Sequence, residues 1–290
     1  MARPLRIEFA GAVYHITSRG NDRKEVFRDD KDRVVFLGIL AKCCNLFNWV
    51  CHAYCLMDNH YHLVIETLDS TLSRGMQQLN GVYTQKFNWN HDCVGHVFQG
   101  RYKAILIQKE SHLLEACRYV VLNPVRAKIV GEPRQWKWSS YRGTCGLATP
   151  TACLTVDWVL EQFGSNRNSA NRKYQEFVKD GINVKPLWED LRCQVLLGDE
   201  VFIDRFSEVA KGAEELKEIP RSQRFLSRPA LHDLFCENQA DNRKQRNEVI
   251  TEAVQVHGYS QKEVADYLEL HYCTISRILA KSEKRSRSKT

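Results

Sequence analysis

The predicted fold is centred on the segment Leu56-Met57-Asp58-Asn59-His60-Tyr61-His62-Leu63-Val64-Ile65-Glu66. Asp58-Asn59 has the composition of a two-residue turn between two apolar runs, so the stretch predicts the centre of a β-hairpin. Alternate side chains of a strand point to one face, and His60 and His62 should therefore lie side by side on one sheet surface. Two adjacent imidazoles can supply half of a metal site, although strands also carry paired histidines by chance.

The segments around this hairpin complete a β-α-β-β-α-β order followed by a further helix. Strands are predicted at 10–19, 49–57, 60–67 and 97–108, and helices at 30–47, 71–87 and 111–124. Their signals are β-branched and aromatic residues for the strands and apolar residues at helical spacing for the helices. With right-handed crossovers this order predicts an α+β fold, a ferredoxin-like antiparallel sheet with helices on one face and the histidines on the other, open face.

Composition describes a soluble globular protein. The chain has 290 residues, of which 43% are hydrophobic and 27% charged, enough for two or three domains. No run of apolar residues is long enough to span a membrane, and the first residues lack an apolar signal segment, so we expect a cytoplasmic protein without a membrane partner. The eleven cysteines are scattered and odd in number, which indicates buried thiols in a reducing compartment.

The positive charge is concentrated in two places. Residues 101–142 contain nine basic and three acidic side chains, and residues 241–290 contain ten and seven. A basic run is often only a solvated surface, but clustering of this kind favours a polyanionic partner. In the first cluster Arg101, Lys103, Arg118 and Arg126 are the candidates for a DNA-backbone groove.

The predicted helix that begins at Ser111 carries a second pair of polar residues. Tyr119 and Asn123 are four residues apart, so they share one helical face. Pro124 disfavours helical geometry at Asn123, and the helix should end or kink there. A tyrosine half-buried in the core and an asparagine that caps the helix are the alternative explanation of this pair.

Three motifs together resemble one family. They are His60-Tyr61-His62, Val97-Phe98-Gln99-Gly100-Arg101-Tyr102-Lys103, and Tyr119-x-x-x-Asn123-Pro124-Val125-Arg126-Ala127. Over residues 5–142 the chain resembles the single-tyrosine HUH transposases, most of all the REP-associated tyrosine transposases. The resemblance implies that His60, His62 and Asn123 bind a divalent metal, Mg²⁺ or Mn²⁺, and that Tyr119 is the nucleophile. Asp58 departs from the family, which commonly has proline at this position of the turn.

The resemblance implies a metal-dependent DNA transesterase. It would act as a transposase-like endonuclease and strand transferase on single-stranded or hairpin DNA, through a 5′-phosphotyrosine intermediate. The chemistry is consistent with a metal site beside the tyrosine. A phenol has a pKa of about 10 and therefore needs help to lose its proton at neutral pH. A divalent ion would neutralise the phosphoryl oxygens, although Zn²⁺ also tolerates histidine ligands. Tyr61 points away from the histidines, whereas Tyr102 remains a rival nucleophile.

The C-terminal residues 228–282 resemble a helix-turn-helix domain for duplex DNA. Ser260 and Glu263 form a capping-box pattern at the start of one helix. In the last helix Thr274, Ser276 and Arg277 should face DNA. Glu269 replaces the usual turn glycine, and a plain helical bundle is the alternative. Residues 143–227 are predicted to be a helical connecting region, and residues 283–290 a basic tail.

The domain prediction is therefore a transposase-like domain at 1–142, the connecting region, the helix-turn-helix domain and the tail. The leading function is the DNA strand transferase. The alternative is a catalytically silent, domesticated regulator that binds specific DNA sequences. A zinc hydrolase is a third possibility, but it lacks an acidic general base, since Glu66 lies six residues from His60. The sequence leaves the DNA target and the choice between monomer and dimer open.

Overall fold

The computed structural model describes residues 7–184, 196–207, 229, 231–235 and 243–287. The chain divides into two compact units, the first ending at Phe202 and the second beginning at Ile203. The boundary predicted from composition falls earlier, at residue 142. No helix in the described part of the chain is both long and apolar enough to cross a membrane.

The first unit is built on a five-stranded sheet. Its strands are β1 (Ala12–Arg19), β2 (Trp49–Met57), β3 (His60–Thr67), β4 (Lys103–Ile107) and β5 (Leu196–Leu197), in the order β2-β3-β1-β4-β5. The first four strands are antiparallel, which confirms the predicted α+β fold. β5 pairs with β4 in parallel, so the complete sheet is mixed rather than purely antiparallel. This short strand lies inside the region predicted to be a helical connector, and two residues are too few for a strand signal.

The helices of the first unit lie close to their predicted positions. The long ones are α1 (Asp30–Phe47), α2 (Leu72–Asn90) and α3 (Lys109–Arg126). The shorter ones are α4 (Tyr141–Thr144), α5 (Asp157–Glu161) and α6 (Arg167–Asp180), with 3-10 turns at Asn21–Arg23, Pro133–Gln135 and Gly181–Asn183. Helix α7 (Glu200–Ser207) contains the boundary at Phe202. The side chain of Asp29 accepts a hydrogen bond from the backbone N–H of Asp32 and caps α1.

The central hairpin has the predicted register. His60 pairs with Met57 across the turn, and Thr17 of β1 pairs with His62. Paired residues of antiparallel strands point to the same face. Thr17 and, two residues away, His15 therefore lie on the same face as His60 and His62.

Helices cover both faces of the sheet, which corrects the prediction of an open histidine face. On one face Phe36 of α1 packs against Tyr61, with ring centroids 4.7 Å apart. On the other face α3 lies over the histidines, with the ring of Tyr119 6.2 Å from that of His62. α3 is drawn onto the sheet by an apolar stripe that includes Leu113 and Val120, both fully buried.

Part of the predicted connecting region packs against α3. The guanidinium of Arg118 lies over the ring of Phe177 at 4.3 Å and donates to the Phe177 carbonyl. A Cβ atom at Gly181 would lie only 2.6 Å from Cδ of Arg118, so the close approach requires glycine. Tyr174 of α6 is buried as well. These residues thus belong to the same compact unit as the sheet.

The second unit is helical. Its described helices are α8 (Leu231–Phe235), α9 (Arg243–Gln255), α10 (Gln261–Tyr267) and α11 (Tyr272–Arg287). Ile250, Val264 and Ile275 are fully buried at their common core. The predicted capping box is present, since the Ser260 hydroxyl accepts from the Glu263 N–H and the Glu263 carboxylate accepts from the Ser260 N–H. Glu269, between α10 and α11, has a φ of 53°, the left-handed conformation that glycine adopts more readily.

Candidate active site

Two neighbouring strands bring three histidines together. His15 of β1 and His62 of β3 stack in parallel, with ring centroids 5.1 Å apart and an angle of 5° between planes. Nε2 of His15 lies 2.9 Å from Nδ1 of His62, and the hydroxyl of Thr17 lies 3.3 Å from the same nitrogen. His15 was not predicted to belong to the site. The position of His15 beside His62 depends on the register between β1 and β3. The sequence of β1 alone does not predict that register.

His60 completes the predicted pair. Its ring centroid is 5.0 Å from that of His62, and the two rings are nearly perpendicular. Nδ1 of His60 lies 2.7 Å from Oδ1 of Asn59. An amide oxygen only accepts hydrogen bonds, so this nitrogen carries the proton and Nε2 keeps its lone pair. In the described part of the chain, no hydrogen bond is made by Nε2 of His60 or by Nε2 of His62.

The site keeps its histidines neutral. Burial lowers the pKa of His62 well below its usual value, and the neighbouring His15 and His60 act in the same direction. Burial also lowers the pKa of His60, assisted by Arg19 and opposed by Asp58. For His15, burial lowers the pKa to about 3. Neutral imidazole is the form that coordinates a metal ion.

Tyr119 lies over the stacked pair. Its ring centroid is 5.9 Å from that of His15 and 6.2 Å from that of His62, edge to face in both cases. The guanidinium of Arg126, two helical turns further along α3, lies 4.7 Å from the centre of the Tyr119 ring. Tyr119 is partly exposed, so a substrate can reach it. The fold thereby brings the predicted nucleophile close to His62, although 57 positions separate them in the chain.

Arg126 retains an unused donor beside the tyrosine. Its Nη2 donates to the carbonyl of Gly181 at 3.5 Å, while Nη1 is buried and has no hydrogen-bond partner in the described ranges. Burial lowers the pKa of Arg126, and Tyr119 opposes this effect. An arginine keeps its charge in proteins. A buried guanidinium with an unsatisfied N–H suits an anionic oxygen atom.

Asn123 lies one turn beyond Tyr119 but is turned toward its own helix. Its Nδ2 lies 3.2 Å from the carbonyl oxygens of both Tyr119 and Val120. Pro124 has no N–H to donate to Val120, and the Asn123 side chain replaces that bond. α3 consequently continues through the proline to Arg126, past its predicted end. In the described residues, no hydrogen bond joins Asn123 to either histidine.

These residues fit a metal ion that keeps open positions. The two Nε2 lone pairs lie on adjacent, neutral rings, and Nδ1 of His62 is held by neighbours in the way that metal-binding histidines usually are. Within the described ranges, no group of three histidine, cysteine or acidic residues could hold a metal. The family resemblance implies the amide oxygen of Asn123 as a third protein ligand, and solvent or substrate oxygen would fill the remaining positions.

The rival tyrosine and the acidic residue of the hydrolase alternative lie elsewhere. Tyr102 is buried on the face opposite the histidines, and its hydroxyl lies 3.4 Å from that of Ser73. Glu66 shares the histidine face but accepts from Lys109 at 2.6 Å and pairs with His52 at 2.9 Å. The hydrogen bond from His52 lowers the pKa of Glu66, and Lys109 adds to the effect while burial opposes it. Glu66 is thus an ionised anchor for the start of α3.

The other predicted DNA contacts differ in their surroundings. Arg101 and Lys103 are exposed, and Lys103 pairs with Thr17, so it lies on the histidine face. Arg118 forms an ion pair with Glu115 in addition to its contact with Phe177. In the second unit Arg277 is exposed, whereas Thr274 and Ser276 are half-buried.

Comparison with known proteins finds similarity over part of the first unit. Residues 9–123 match the family model of IS200-like transposases. Among solved structures, a REP-associated tyrosine transposase bound to a REP hairpin is similar, with 16% sequence identity and a TM-score of 0.45, covering 55% of this chain and 91% of that chain. Comparison with curated proteins found no match.

Proposed function

We propose that this chain, whose residues 9–123 match the family model of IS200-like transposases, cuts and rejoins single-stranded DNA with Tyr119 as its nucleophile. The observation that carries the proposal is the position of the Tyr119 ring over His62. The ring of His60 is next to that of His62, and the guanidinium of Arg126 lies over the tyrosine. A nucleophile, two candidate metal ligands and a cation are thus within reach of one phosphodiester. Hairpin DNA is the substrate that we expect, as the sequence predicts.

Residues His60, His62 and Asn123 would hold the metal, Mg²⁺ or Mn²⁺. When bound, the ion supplies charge neutralisation and orientation of the scissile phosphate. The Nε2 atoms of His60 and His62 are the donors, and rotation of the Asn123 amide from its helix would bring a third. His15 and Thr17 hold Nδ1 of His62, so that its Nε2 is directed away from them.

The reaction is a transesterification at phosphorus. The Tyr119 oxygen forms a bond to phosphorus as its proton passes to solvent, and the bond from phosphorus to the 3′-oxygen breaks. The 3′-oxygen takes up a proton and leaves as a hydroxyl, while the 5′-phosphate stays on the tyrosine. Because the ester bond is retained, attack by another 3′-hydroxyl reverses the step and joins strands without ATP.

Nearby cations would hold the DNA backbone. The unsatisfied Nη1 of Arg126 suits a non-bridging phosphate oxygen, where it would oppose the charge that develops in the transition state. Exposed Arg101 and Lys103 extend the positive surface for neighbouring phosphates. Arg118 contacts Glu115 and Phe177. It therefore stabilises the packing of α3 in addition to any contact that it makes with DNA.

The second unit would bind duplex DNA as a helix-turn-helix. The order of α9, α10 and α11 and the capped start of α10 support this assignment. Thr274, Ser276 and Arg277 are near the start of α11, the helix that would approach the major groove.

The test is a search for the covalent adduct. The protein is mixed with labelled single-stranded oligonucleotides that contain hairpins from around its own locus, with Mn²⁺ or Mg²⁺, and separated on a denaturing gel. We expect an adduct with the wild type and with Tyr102→Phe, the matched control, but none with Tyr119→Phe or with a chelator. An adduct that persists in Tyr119→Phe would remove Tyr119 as the nucleophile.

A catalytically silent DNA-binding regulator is the second candidate. The observation in its favour is the Asn123 amide, which bonds to its own helix rather than to the histidines. Duplex binding without an adduct, across a broad set of hairpin oligonucleotides and both metals, would select the regulator over the strand transferase.

A further inference from the structure

A basic groove in the second unit lies between α9 and α11. It has a volume of about 780 Å³. Five cationic side chains line it: Arg243, Lys244, Arg246, Arg277 and Lys281. Glu248 is the one carboxylate among the lining residues. Such an excess of one charge in a concave surface raises the local concentration of ions of the opposite charge.

The groove contains polar atoms that the protein itself does not satisfy. Nε of Arg246 is buried and has no hydrogen-bond partner among the described residues. Within the same ranges neither Arg246 nor Arg277 forms an ion pair with a carboxylate. Thr274 adds a hydroxyl to the lining. Buried donors without partners are uncommon in folded proteins, and Nε of Arg246 is suited to an anionic oxygen ligand.

The cations of the groove are spread along two helices. Arg243 and Arg246 lie on α9, and Arg277 and Lys281 lie on α11. From Arg277 to Lys281 an α-helix rises about 6 Å. Successive phosphates of one DNA strand are spaced about 3.4 Å apart along the axis. The cations are therefore spaced for more than one phosphate rather than for one small anion.

We propose that this groove binds the phosphate backbone of duplex DNA. Arg277 and Thr274 line the groove together with Lys244 and Arg246, so they contact phosphate rather than base edges. This differs from the sequence prediction, in which Arg277 faces the bases. Ser276 does not line the groove and is left as the candidate for base contact. The inference rests on the proposed function, since it takes DNA as the polyanion.

The experiment measures salt dependence with the full-length protein. The affinity for fluorescein-labelled duplexes of several unrelated sequences is measured by fluorescence anisotropy over a range of NaCl concentrations. Lys244→Gln and Arg277→Gln should each reduce the slope of log K against log salt by about 0.9. They should weaken binding by the same factor for every duplex, as expected for a phosphate contact.

Lys262→Gln is the matched control. Lys262 is exposed on α10 outside the groove, and its substitution removes the same charge from the same unit. Thermal melting of each variant tests whether the unit still folds. Lys244 is exposed, so Lys244→Gln should retain the fold. Arg246 is not substituted, because its Nε is buried and its loss could unfold the unit.

Several results would overturn the inference. One is an equal slope of log K against log salt for Lys244→Gln and Lys262→Gln. Another is a changed sequence preference for Arg277→Gln at an unchanged slope. The third is the absence of duplex binding by the wild type. If the groove binds an acidic protein instead of DNA, the substitution Lys244→Gln should not change the slope for DNA more than Lys262→Gln does, which is the first of these results. The strand-transferase proposal has its own readout, the Tyr119 adduct on single-stranded DNA, so either proposal can fail alone.

Discussion

The contact between His15 and His62 decides which nitrogen of His62 is available to a metal. For Nε2 to coordinate, Nδ1 must carry the proton, and the nearest acceptor is Nε2 of His15 at 2.9 Å. We expect His15→Leu to weaken Mn²⁺ binding by about 10- to 100-fold, the usual cost of losing such a partner. Electron paramagnetic resonance of free Mn²⁺, measured without DNA, gives the affinity.

The conservative variant His15→Gln separates positioning from packing. Its amide oxygen can accept the same hydrogen bond, so it should restore most of the Mn²⁺ affinity that His15→Leu loses. Thr17→Val is the comparison for the second contact, at 3.3 Å. Equal affinities for the leucine and glutamine variants would show that the hydrogen bond has no such role.

Burial of His15 also makes stability depend on pH. Its pKa falls from the ordinary 6.5 to about 3 in the folded protein, so below pH 6.5 the unfolded chain binds the proton more readily. The stability is therefore complete above pH 6.5 and declines as the pH falls toward 3. One such histidine contributes a slope of at most about 1.4 kcal/mol per pH unit.

Urea unfolding at a series of pH values measures this effect. His15→Leu should lower the slope of the unfolding free energy between pH 6.5 and 3, the interval set by the two pKa values. His96→Gln, at an exposed histidine, is the control and should leave the slope unchanged. An unchanged slope in the leucine variant would mean that His15 is already able to take up a proton in the folded state.

At the scale of an element, α3 combines a proline with the side chain that compensates for it. Asn123→Ala removes the donor to Val120 and should cost about 1 kcal/mol of unfolding free energy. Pro124→Ala restores a backbone N–H at that position, so the alanine substitution at Asn123 should cost less in that background. A double-mutant cycle by urea unfolding measures the difference.

The same cycle tests whether Asn123 has a second role as a metal ligand. If it has, Mn²⁺ affinity should fall in Asn123→Ala with or without Pro124→Ala. Recovery of affinity together with stability in the double variant would mean that Asn123 only supports the helix.

The sequence predicted α3 but not what it covers. The apolar spacing of its residues and the shared face of Tyr119 and Asn123 are local properties, and both predict the helix that is present. That α3 packs on the histidine face depends on Leu113 and Val120 meeting the sheet, and on Lys109 reaching Glu66. Contacts between residues so distant in the chain have no periodic signal in either segment.

At the scale of the whole molecule, the two compact units should carry separable activities. Tyr119 lies in the first unit, and the basic groove lies in the second. We expect Tyr119→Phe to abolish the adduct and leave duplex affinity within twofold, about 0.4 kcal/mol. Lys244→Gln should do the reverse, weakening duplex binding without changing adduct formation on a single-stranded hairpin.

Both variants are assayed on both substrates, with Tyr102→Phe and Lys262→Gln beside them. Loss of both activities in either test variant, while the melting temperature is retained, would contradict separable units. It would indicate instead that duplex binding and strand cleavage depend on a common DNA complex.

The local features of this protein can be predicted from its sequence alone. The hairpin at Asp58-Asn59, the shared face of His60 and His62, and the capping box at Ser260 all follow from spacing within a few residues. Such patterns act through the backbone geometry of one strand, turn or helix.

The remaining features depend on contacts between distant segments. The register of β1 against β3 brings His15 to His62, the packing of α3 places Tyr119 above them, and β5 adds a parallel edge to the sheet. The approach of α9 to α11 gathers the cations of the groove. In each case the deciding contact joins segments far apart in the chain, where the energy depends on how whole surfaces fit rather than on any local pattern.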